Sequence, residues 1–437
     1  MRGEPRLALL DSRGSICDIH MIKERTIKKT GKYYLYFLRW IVIAIVLGAV
    51  GGAIGSIFHH CIDEVTLLRG EFPWLLYLLP IAGLIIVFIY RKAGFEKDPG
   101  TNLVLTSTHT KETVPLRMLP LIFVSTILTH LTGGSAGREG AALQVGGSLG
   151  SALGKLLKFK WEDINITILC GMSAVFSAMF GTPIAAAVFS MEVAMVGAIQ
   201  YAALVPCIVS AVVAKYVAGL MGSKVTIYAV TLDVPITPAL IFQTIVLGIL
   251  CGILSMVFCS MMHKMSHLLA KWMPDLYIRV FIGGCMIVAL TLMLGTRDYN
   301  GAGTHMIEQS FTGQVVWYAF LIKMLFTAIT IGSGYKGGEI VPTLFIGATF
   351  GCVIGPVLGL QSSLAAAVAM IATFCGVVNA PLASIFLGVE MFGTGDIVLF
   401  AIVCAISYVC SGYYSLYSSQ TIIQDKLYQH DIFKKAD

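Results

Sequence analysis

The sequence predicts an all-α polytopic membrane protein made of two inverted-topology homologous halves, whose broken helices meet at a midplane anion site. Three observations predict it. Apolar runs recur along nearly the whole chain, charge is scarce, and the chain matches itself at a shift of 200 residues.

Of 437 residues, 57% are hydrophobic and 12% charged, against about 25% charged in an ordinary soluble domain. Residues 40–57, 74–90, 202–220, 241–261, 280–294 and 397–410 are the clearest apolar runs. A bilayer core takes about 20 apolar residues in helix, so some of these runs are full crossings and some are short. No large polar domain lies before, between or after them, which excludes a soluble enzyme tethered by one helix. The net charge of +6 gathers at the ends. Lys23, Arg25, Lys28, Lys29 and Lys32 precede the first run, and Lys426, Lys434 and Lys435 close the chain. Short basic flanks stay cytoplasmic. Both termini are therefore expected in the cytoplasm and the protein in the cell (inner) membrane, multi-pass. Nucleic-acid binding, the other reading of a basic cluster, does not suit a chain this apolar, and the bilayer is the expected surrounding.

Residues 1–34 are expected to be a cytoplasmic, disordered N-terminal segment. Residues 1–20 mix charge and apolar side chains without a sustained hydrophobic stretch, so they are no signal peptide, and Met21 resembles a natural start. Residues 35–220 then form the first transmembrane half, 221–237 a linker, 238–415 the second half, and 416–437 a pathway tyrosine and a cytoplasmic tail. The eleven cysteines are scattered singly, without C-x-x-C spacing. Small buried thiols account for them better than disulfides or a metal site, and neither a metal nor a cofactor is expected.

Three matched segments carry the repeat. Gly100-Thr101-Asn102 answers to Gly303-Thr304-His305. Ser135-Ala136-Gly137-Arg138-Glu139-Gly140 answers to Tyr335-Lys336-Gly337-Gly338-Glu339-Ile340, with Gly147 meeting Gly347. Thr182-Pro183-Ile184-Ala185, running into Glu192, answers to Ala380-Pro381-Leu382-Ala383, running into Glu390. Duplicated membrane halves are characteristic of transporters, whose sites lie near the midplane where helices break. The Gly-rich segments lie between apolar runs, and irregular backbone at membrane depth is tolerated only where protein buries it or it lines a cavity. A helix restarting after such a break presents free N–H groups and its positive dipole end to an anion. Close helix packing is the plain alternative for such glycines. It accounts for Gly146, Gly150 and Gly154, but not for a charged Arg-Glu pair answered by a second Glu.

At these residues the sequence resembles the CLC family of chloride channels and proton-coupled anion exchangers, from about residue 35 to 420. Gly137-Arg138-Glu139-Gly140 matches the family's GREGP element, with Ala141 in place of proline. Gly337-Gly338-Glu339-Ile340-Val341-Pro342 matches GGxFxP, with Glu339 where an apolar residue is usual. Thr182-Pro183-Ile184-Ala185 and Asn379-Ala380-Pro381-Leu382-Ala383 match the NAPLAG-like turn, and Tyr417 matches the tyrosine that closes the pathway. Where the family's chloride-binding loop reads GSGIP, this chain reads Gly100-Thr101-Asn102-Leu103-Val104. These departures look like the fluoride-exporting CLC-F branch. Glu192 is followed by Val193, so the Glu-Glu pair that serves proton relay in other exchangers is not intact.

The resemblance implies a homodimer, not an enzyme, that exports fluoride in exchange for protons. It makes Glu139 gate and proton carrier and Glu339 a pore carboxylate. The anion would meet Gly137, Arg138, Gly140, Thr101, Asn102, Ile340, Val341 and Tyr417. Physics supports Glu139 without the resemblance: an intramembrane carboxylate is costly and marks an ion or proton path. Ionised, it mimics the anion; protonated, it leaves the site. Plainer readings stand beside these. Glu139 pairs with Arg138, although adjacent helical residues point apart. Glu339 caps a helix or pairs with Lys336. Tyr417 joins Tyr413 and Tyr414 in an interfacial belt, and Thr101 and Asn102 belong to an ordinary loop. His130 and His305 are candidate proton carriers or, more plainly, hydrogen-bonded helix-end residues with nothing pairing them. Glu192 and Glu390 end helices at the membrane surface. Two rival functions remain: a chloride/proton exchanger or chloride channel of the same family, and more remotely an intramembrane serine protease using Ser135.

Overall fold

The computed structural model describes residues 12–95, 100–223, 228, 234–428 and 431–436, with side chains from residue 34 onward. Among these residues the first half runs through α1 (Ser12–Glu71), α2 (Leu79–Lys92), α3 (Thr101–Ser107), α4 (Met118–Leu131), α5 (Glu139–Leu156), α6 (Trp161–Phe180), α7 (Pro183–Glu192) and α8 (Leu204–Leu220). The second half repeats the series as α9 (Pro238–Trp272), α10 (Leu276–Leu294), α11 (Thr304–Phe311), α12 (Ala319–Ser333), α13 (Ile340–Val357), α14 (Ser362–Val378), α15 (Pro381–Phe392) and α16 (Ile397–Cys410). Seven helical stretches among the described residues are long and apolar enough to cross a membrane, and shorter apolar helices lie among them. Phe242, Ile249, Ile253 and Val257 of α9 are exposed. Such a row would be an association hazard in water, and lipid solvates it.

The halves break their helices with matched chemistry. α6 ends on Gly181 in the left-handed region (φ +74°), and Pro183 opens α7. α14 ends on Asn379, also left-handed (φ +54°), and Pro381 opens α15. A left-handed residue satisfies the last carbonyls, while proline gives up only an N–H that the first turn leaves unpaired anyway. α5 packs on α6 where Gly146 faces the Gly171 carbonyl and Gly150 that of Thr167; a β-carbon at either would collide with backbone. Gly347 and Gly351 do the same against Ala369 and Ala365. The packing reading of Gly146 and Gly150 therefore holds, and Gly154 likewise abuts Thr167 and Ile164.

Three expectations change. Residues 1–11 of the N-terminal segment lie outside the described residues, but from Ser12 the segment expected to be disordered is helical. From Ser12 on, Gly14 and Gly31 are its only glycines and no proline lies between Pro5 and Pro73, so no proline stops the helix short of the first apolar run. Residues Met1–Ile43 and Ala44–Asp437 form separate compact units. Of the linker 221–237, residues 224–227 and 229–233 lie outside the described residues. Tyr228 does not behave as linker: its N–H donates to the Met391 carbonyl at 3.1 Å, and its ring lies 5.0 Å from Phe311 and 5.8 Å from Phe392. Finally, a small sheet joins the helices. β1 (Met195–Val196) pairs in parallel with β2 (Thr421–Gln424), which pairs antiparallel with β3 (Asp431–Lys435). The chain beyond Tyr417 folds back and completes its backbone hydrogen bonding on the turn after α7.

Candidate anion site

The two Gly-rich breaks meet each other. The Gly137 N–H donates to the Gly338 carbonyl at 2.6 Å, and the Gly338 N–H to the Gly137 carbonyl at 2.7 Å. This two-bond antiparallel bridge leaves no room for side chains. A β-carbon on Gly338 would strike the Gly140 nitrogen, and one on Gly140 would come 2.9 Å from the Gly338 α-carbon. The bridge holds the first turns of α5 and α13, one from each half, beside a common point. Free N–H groups and positive dipole ends thus converge without a full positive charge.

Glu139 fills that point. The residue is 1% exposed, its Oε2 accepts the Arg138 N–H at 2.9 Å, and the Val341 N–H of α13 also faces the carboxylate. The guanidinium of Arg138 is turned elsewhere. It donates to Asp63 at 2.8 Å and lies 3.7 Å from Glu139 Oε1, while His59 Nε2 stands 3.1 Å from the other Asp63 oxygen. A simple Arg138–Glu139 ion pair is therefore the lesser of the two contacts Arg138 makes.

Glu339 is held differently. It stands at the N-cap of α13 without making a cap hydrogen bond, and its Oε2 has no partner among the described residues although it is buried. The position of a Gly140 β-carbon lies 3.5 Å from that oxygen and 3.4 Å from Thr101 Oγ1. Thr101 and Glu339 therefore flank the same glycine from two helices. Asn102 Oδ1 accepts from the Ser419 N–H at 3.0 Å and from its hydroxyl at 2.9 Å, tying α3 to the turn after Tyr417. Only the amide NH2 of Asn102 is left for an anion. Tyr417 is 2% exposed and its hydroxyl makes no hydrogen bond among the described residues, so it is no interfacial belt residue.

Two cavities approach the bridge. One of about 480 Å³ is lined by Thr101, Asn102, Gln144, Glu339 and Tyr417. The other, about 170 Å³, is lined by Asp63, Arg69, Arg138, Glu139, Tyr228 and Arg297. The structure thus gathers Glu139, Glu339, Thr101, Asn102, Tyr417 and the backbone of Gly137, Gly140, Ile340 and Val341, and places the Arg138 side chain on the second cavity's rim. Asp63, Gln144 and Tyr228 went unnoticed in the sequence. An acid in a largely apolar helix and an amide one turn beyond Gly140 on the same helical face were the available signals.

Several expected roles are corrected or settled. Glu192 and Glu390 do not simply end helices at the membrane surface. Glu192 accepts from the N–H groups of Leu382 (3.2 Å) and Ala383 (2.9 Å), and Glu390 from those of Ile184 (3.1 Å) and Ala185 (2.8 Å). Each carboxylate at the end of one half-helix caps the start of the other, where unpaired N–H groups and a positive dipole end favour negative charge. His130 is a helix-end histidine, its Nε2 3.2 Å from the Gly137 carbonyl. His305 is not unpaired: Nε2 lies 3.1 Å from Asp298 Oδ1, because the turn before α11 brings that acid back to the helix start. Among the described residues the Ser135 hydroxyl pairs with another hydroxyl, that of Thr327 at 3.2 Å, and not with a base, which leaves the protease reading without a nucleophile.

Comparison with known proteins agrees with this geometry. A family model described as voltage gated chloride channel matches residues 82–412. A chloride/fluoride channel protein of Pseudomonas syringae pv. tomato is 35% identical over 398 residues, covering 90% of this chain and 88% of the relative. The crystal structure of a CLC-type fluoride/proton antiporter superposes with a TM-score of 0.86 at 32% identity, covering 89% of this chain and 99% of that one. A slow cyanobacterial Cl−/H+ antiporter shares the fold, with a TM-score of 0.73 at 22% identity over 85% of this chain and 94% of its own. The chain belongs to the voltage gated chloride channel family, the CLC anion channels and proton-coupled anion antiporters.

Proposed function

We propose that the protein is a fluoride/proton antiporter that exports fluoride from the cytoplasm across the cell (inner) membrane. Glu139 is its gate and proton carrier, and Glu339 a second carboxyl group on the path. The observation that carries the reading is the posture of Glu139: its carboxylate occupies the joint of two helix N-termini, where a transported anion would sit. Ionised, it excludes the anion. Protonated, it no longer satisfies N–H donors that favour negative charge, and an anion takes its place. Each exchange of carboxylate for anion therefore moves a proton, which couples the two fluxes in opposite directions. The N–H groups of Gly140, Ile340 and Val341, the Thr101 hydroxyl, the Asn102 amide and the Tyr417 phenol serve as donors along the way. With both termini cytoplasmic, the cavity beside Tyr417 faces the cytoplasm and the arginine-lined cavity faces outward. The family resemblance supports a homodimer with one pathway in each subunit.

Fluoride is favoured over chloride by the extra carboxyl. Fluoride is small and strongly hydrated, so removing it from water demands strong, close donors. A protonated Glu339 supplies an O–H donor, and an ionised one lowers occupancy by the more weakly held anion. The printed descriptions of two relatives, a chloride/fluoride channel protein and a fluoride/proton antiporter, support the same choice. The Thr101 hydroxyl, a donor also suited to chloride, supports the second reading, a chloride/proton exchanger or chloride channel. Efflux of each anion from proteoliposomes, with pH recorded, decides. Fluoride should move at least about tenfold faster than chloride, roughly 1.4 kcal/mol in barrier. Equal rates would leave the chloride reading in its place.

A further inference from the structure

The strongest signal the proposed mechanism does not use is Gln144, an amide 3% exposed in the wall of the larger cavity. Its Nε2 donates to Thr101 Oγ1 at 3.3 Å, and its Oε1 makes no hydrogen bond among the described residues. A buried amide with half its capacity unmet is costly where leucine would pack freely, so the bond it does make calls for a reason. Thr101 supplies one. Among the described residues the Thr101 hydroxyl donates to the Gly140 carbonyl at 3.5 Å, the outer limit of a hydrogen bond.

We propose that Gln144 is a positioning residue that makes the Thr101 hydroxyl an anion donor, through the hydrogen bond from its Nε2 to Thr101 Oγ1. An amide nitrogen has no lone pair to offer, so at this contact Thr101 can only accept. The bond occupies a lone pair on Oγ1 and turns the O–H away from Gln144. The proton is then left with a carbonyl too distant to hold it. An anion arriving in the cavity takes that proton in a charge-assisted hydrogen bond, which is shorter and stronger than the one it replaces. Without Gln144 the hydroxyl rotates freely and its lone pairs face the anion part of the time. Thr101 would then repel as well as attract, and the site would lose affinity rather than turnover.

The inference rests on the reading of Thr101 as an anion ligand, and the experiment separates the two. Full-length protein in liposomes is assayed for fluoride efflux over a range of fluoride concentrations. Gln144→Met keeps length and burial while removing the donor, and should raise the fluoride KM about fivefold to tenfold with maximal rate within about twofold. Gln144→Glu reverses the bond, drawing the Thr101 proton onto the new carboxylate, and should raise KM further. In a Thr101→Val background, Gln144→Met should change nothing more. Equal KM increases from Gln144→Met with and without Thr101 overturn the positioning role and leave Thr101 as a ligand. A wild-type KM for Thr101→Val overturns the Thr101 reading and this role with it. If Gln144→Met fails to assemble, Gln144→Glu against Gln144→Glu/Thr101→Val gives the same test, additivity again being the refuting result.

Discussion

Replacing Glu139 with glutamine tests the anion-mimic mechanism most directly. Besides its own N–H, the carboxylate faces two backbone donors, the Arg138 N–H at 2.9 Å and the Val341 N–H. Hydrogen bonds to a charged acceptor contribute about 1.5–3 kcal/mol and neutral ones about 0.5–1.5 kcal/mol. Glutamine keeps the shape but holds each donor about 1 kcal/mol less strongly, and its NH2 cannot accept at all. The side chain therefore competes with a free anion roughly 2 kcal/mol less well, about 30-fold in occupancy. Glutamine also cannot carry a proton at any pH at which transport is measured. Two results follow for Glu139→Gln. Fluoride binding by calorimetry should tighten by about one order of magnitude or more, and proton movement per fluoride should fall to the leak level in liposomes fitted with fluoride and pH electrodes. An unchanged proton-to-fluoride ratio, or fluoride binding no tighter than wild type, refutes the reasoning.

Three further perturbations read other parts of the argument. Gly338→Ala places a methyl group against the Gly140 nitrogen; losing the two-bond bridge should lower stability by about 2–4 kcal/mol, seen as a fall of several degrees in the unfolding midpoint in detergent. Glu192→Gln removes the charge from a cap on α15 that accepts from the N–H groups of Leu382 and Ala383. It should cost about 1–2 kcal/mol of stability and leave the proton-to-fluoride ratio as it was, whereas a changed ratio would make Glu192 a relay after all. In the tail, burial brings the Lys426 ammonium down to about 8, while it donates to Asn379 Oδ1, the Tyr408 carbonyl and Ser411 Oγ. Between that value and the usual value of about 10.4 the undocked tail binds more protons than the docked one. The burial cost is thus present in full below pH about 8 and fades as pH rises toward 10. The unfolding midpoint should gain on that of Lys426→Met over this window, and a constant difference would show that the group does not titrate there.

What the sequence made legible was chemistry that repeats at short range. Gly181-Thr182-Pro183 and Asn379-Ala380-Pro381 each spell a helix end followed by a helix start, and both breaks form. The match of Gly137 with Gly337 and of Glu139 with Glu339 pointed to one site made from two halves, and the bridge between Gly137 and Gly338 joins them. What stayed hidden depended on tertiary contact. Asp63 meets Arg138 across 75 residues. The exchanged caps of Glu192 and Glu390 require α7 and α15 to lie side by side with opposite directions, which no local pattern announces. β1 has two residues, too few for any alternation to show. The helix from Ser12 runs on into the first apolar run, a continuity that a charged, weakly apolar segment does not announce by its own composition.

The repeat also explains why one site carries two carboxylates of different character. Equivalent positions in the two halves hold Glu139 and Glu339, yet Glu139 opens α5 while Glu339 precedes α13. Glu139 reaches N–H groups of both helix starts, whereas Glu339 Oε2 makes no hydrogen bond among the described residues. A carboxylate that binds where the anion binds must be the one that gives way, since two negative charges cannot share the same donors. In the proposed mechanism Glu339 Oε2, without a partner among the described residues and in the same cavity wall as Thr101, Asn102, Gln144 and Tyr417, is the oxygen left to meet an anion when it carries a proton. Duplication thus supplied the same residue twice. In the proposed mechanism, a small difference in how each half starts its helix separates a group that competes with the anion from one that can serve it.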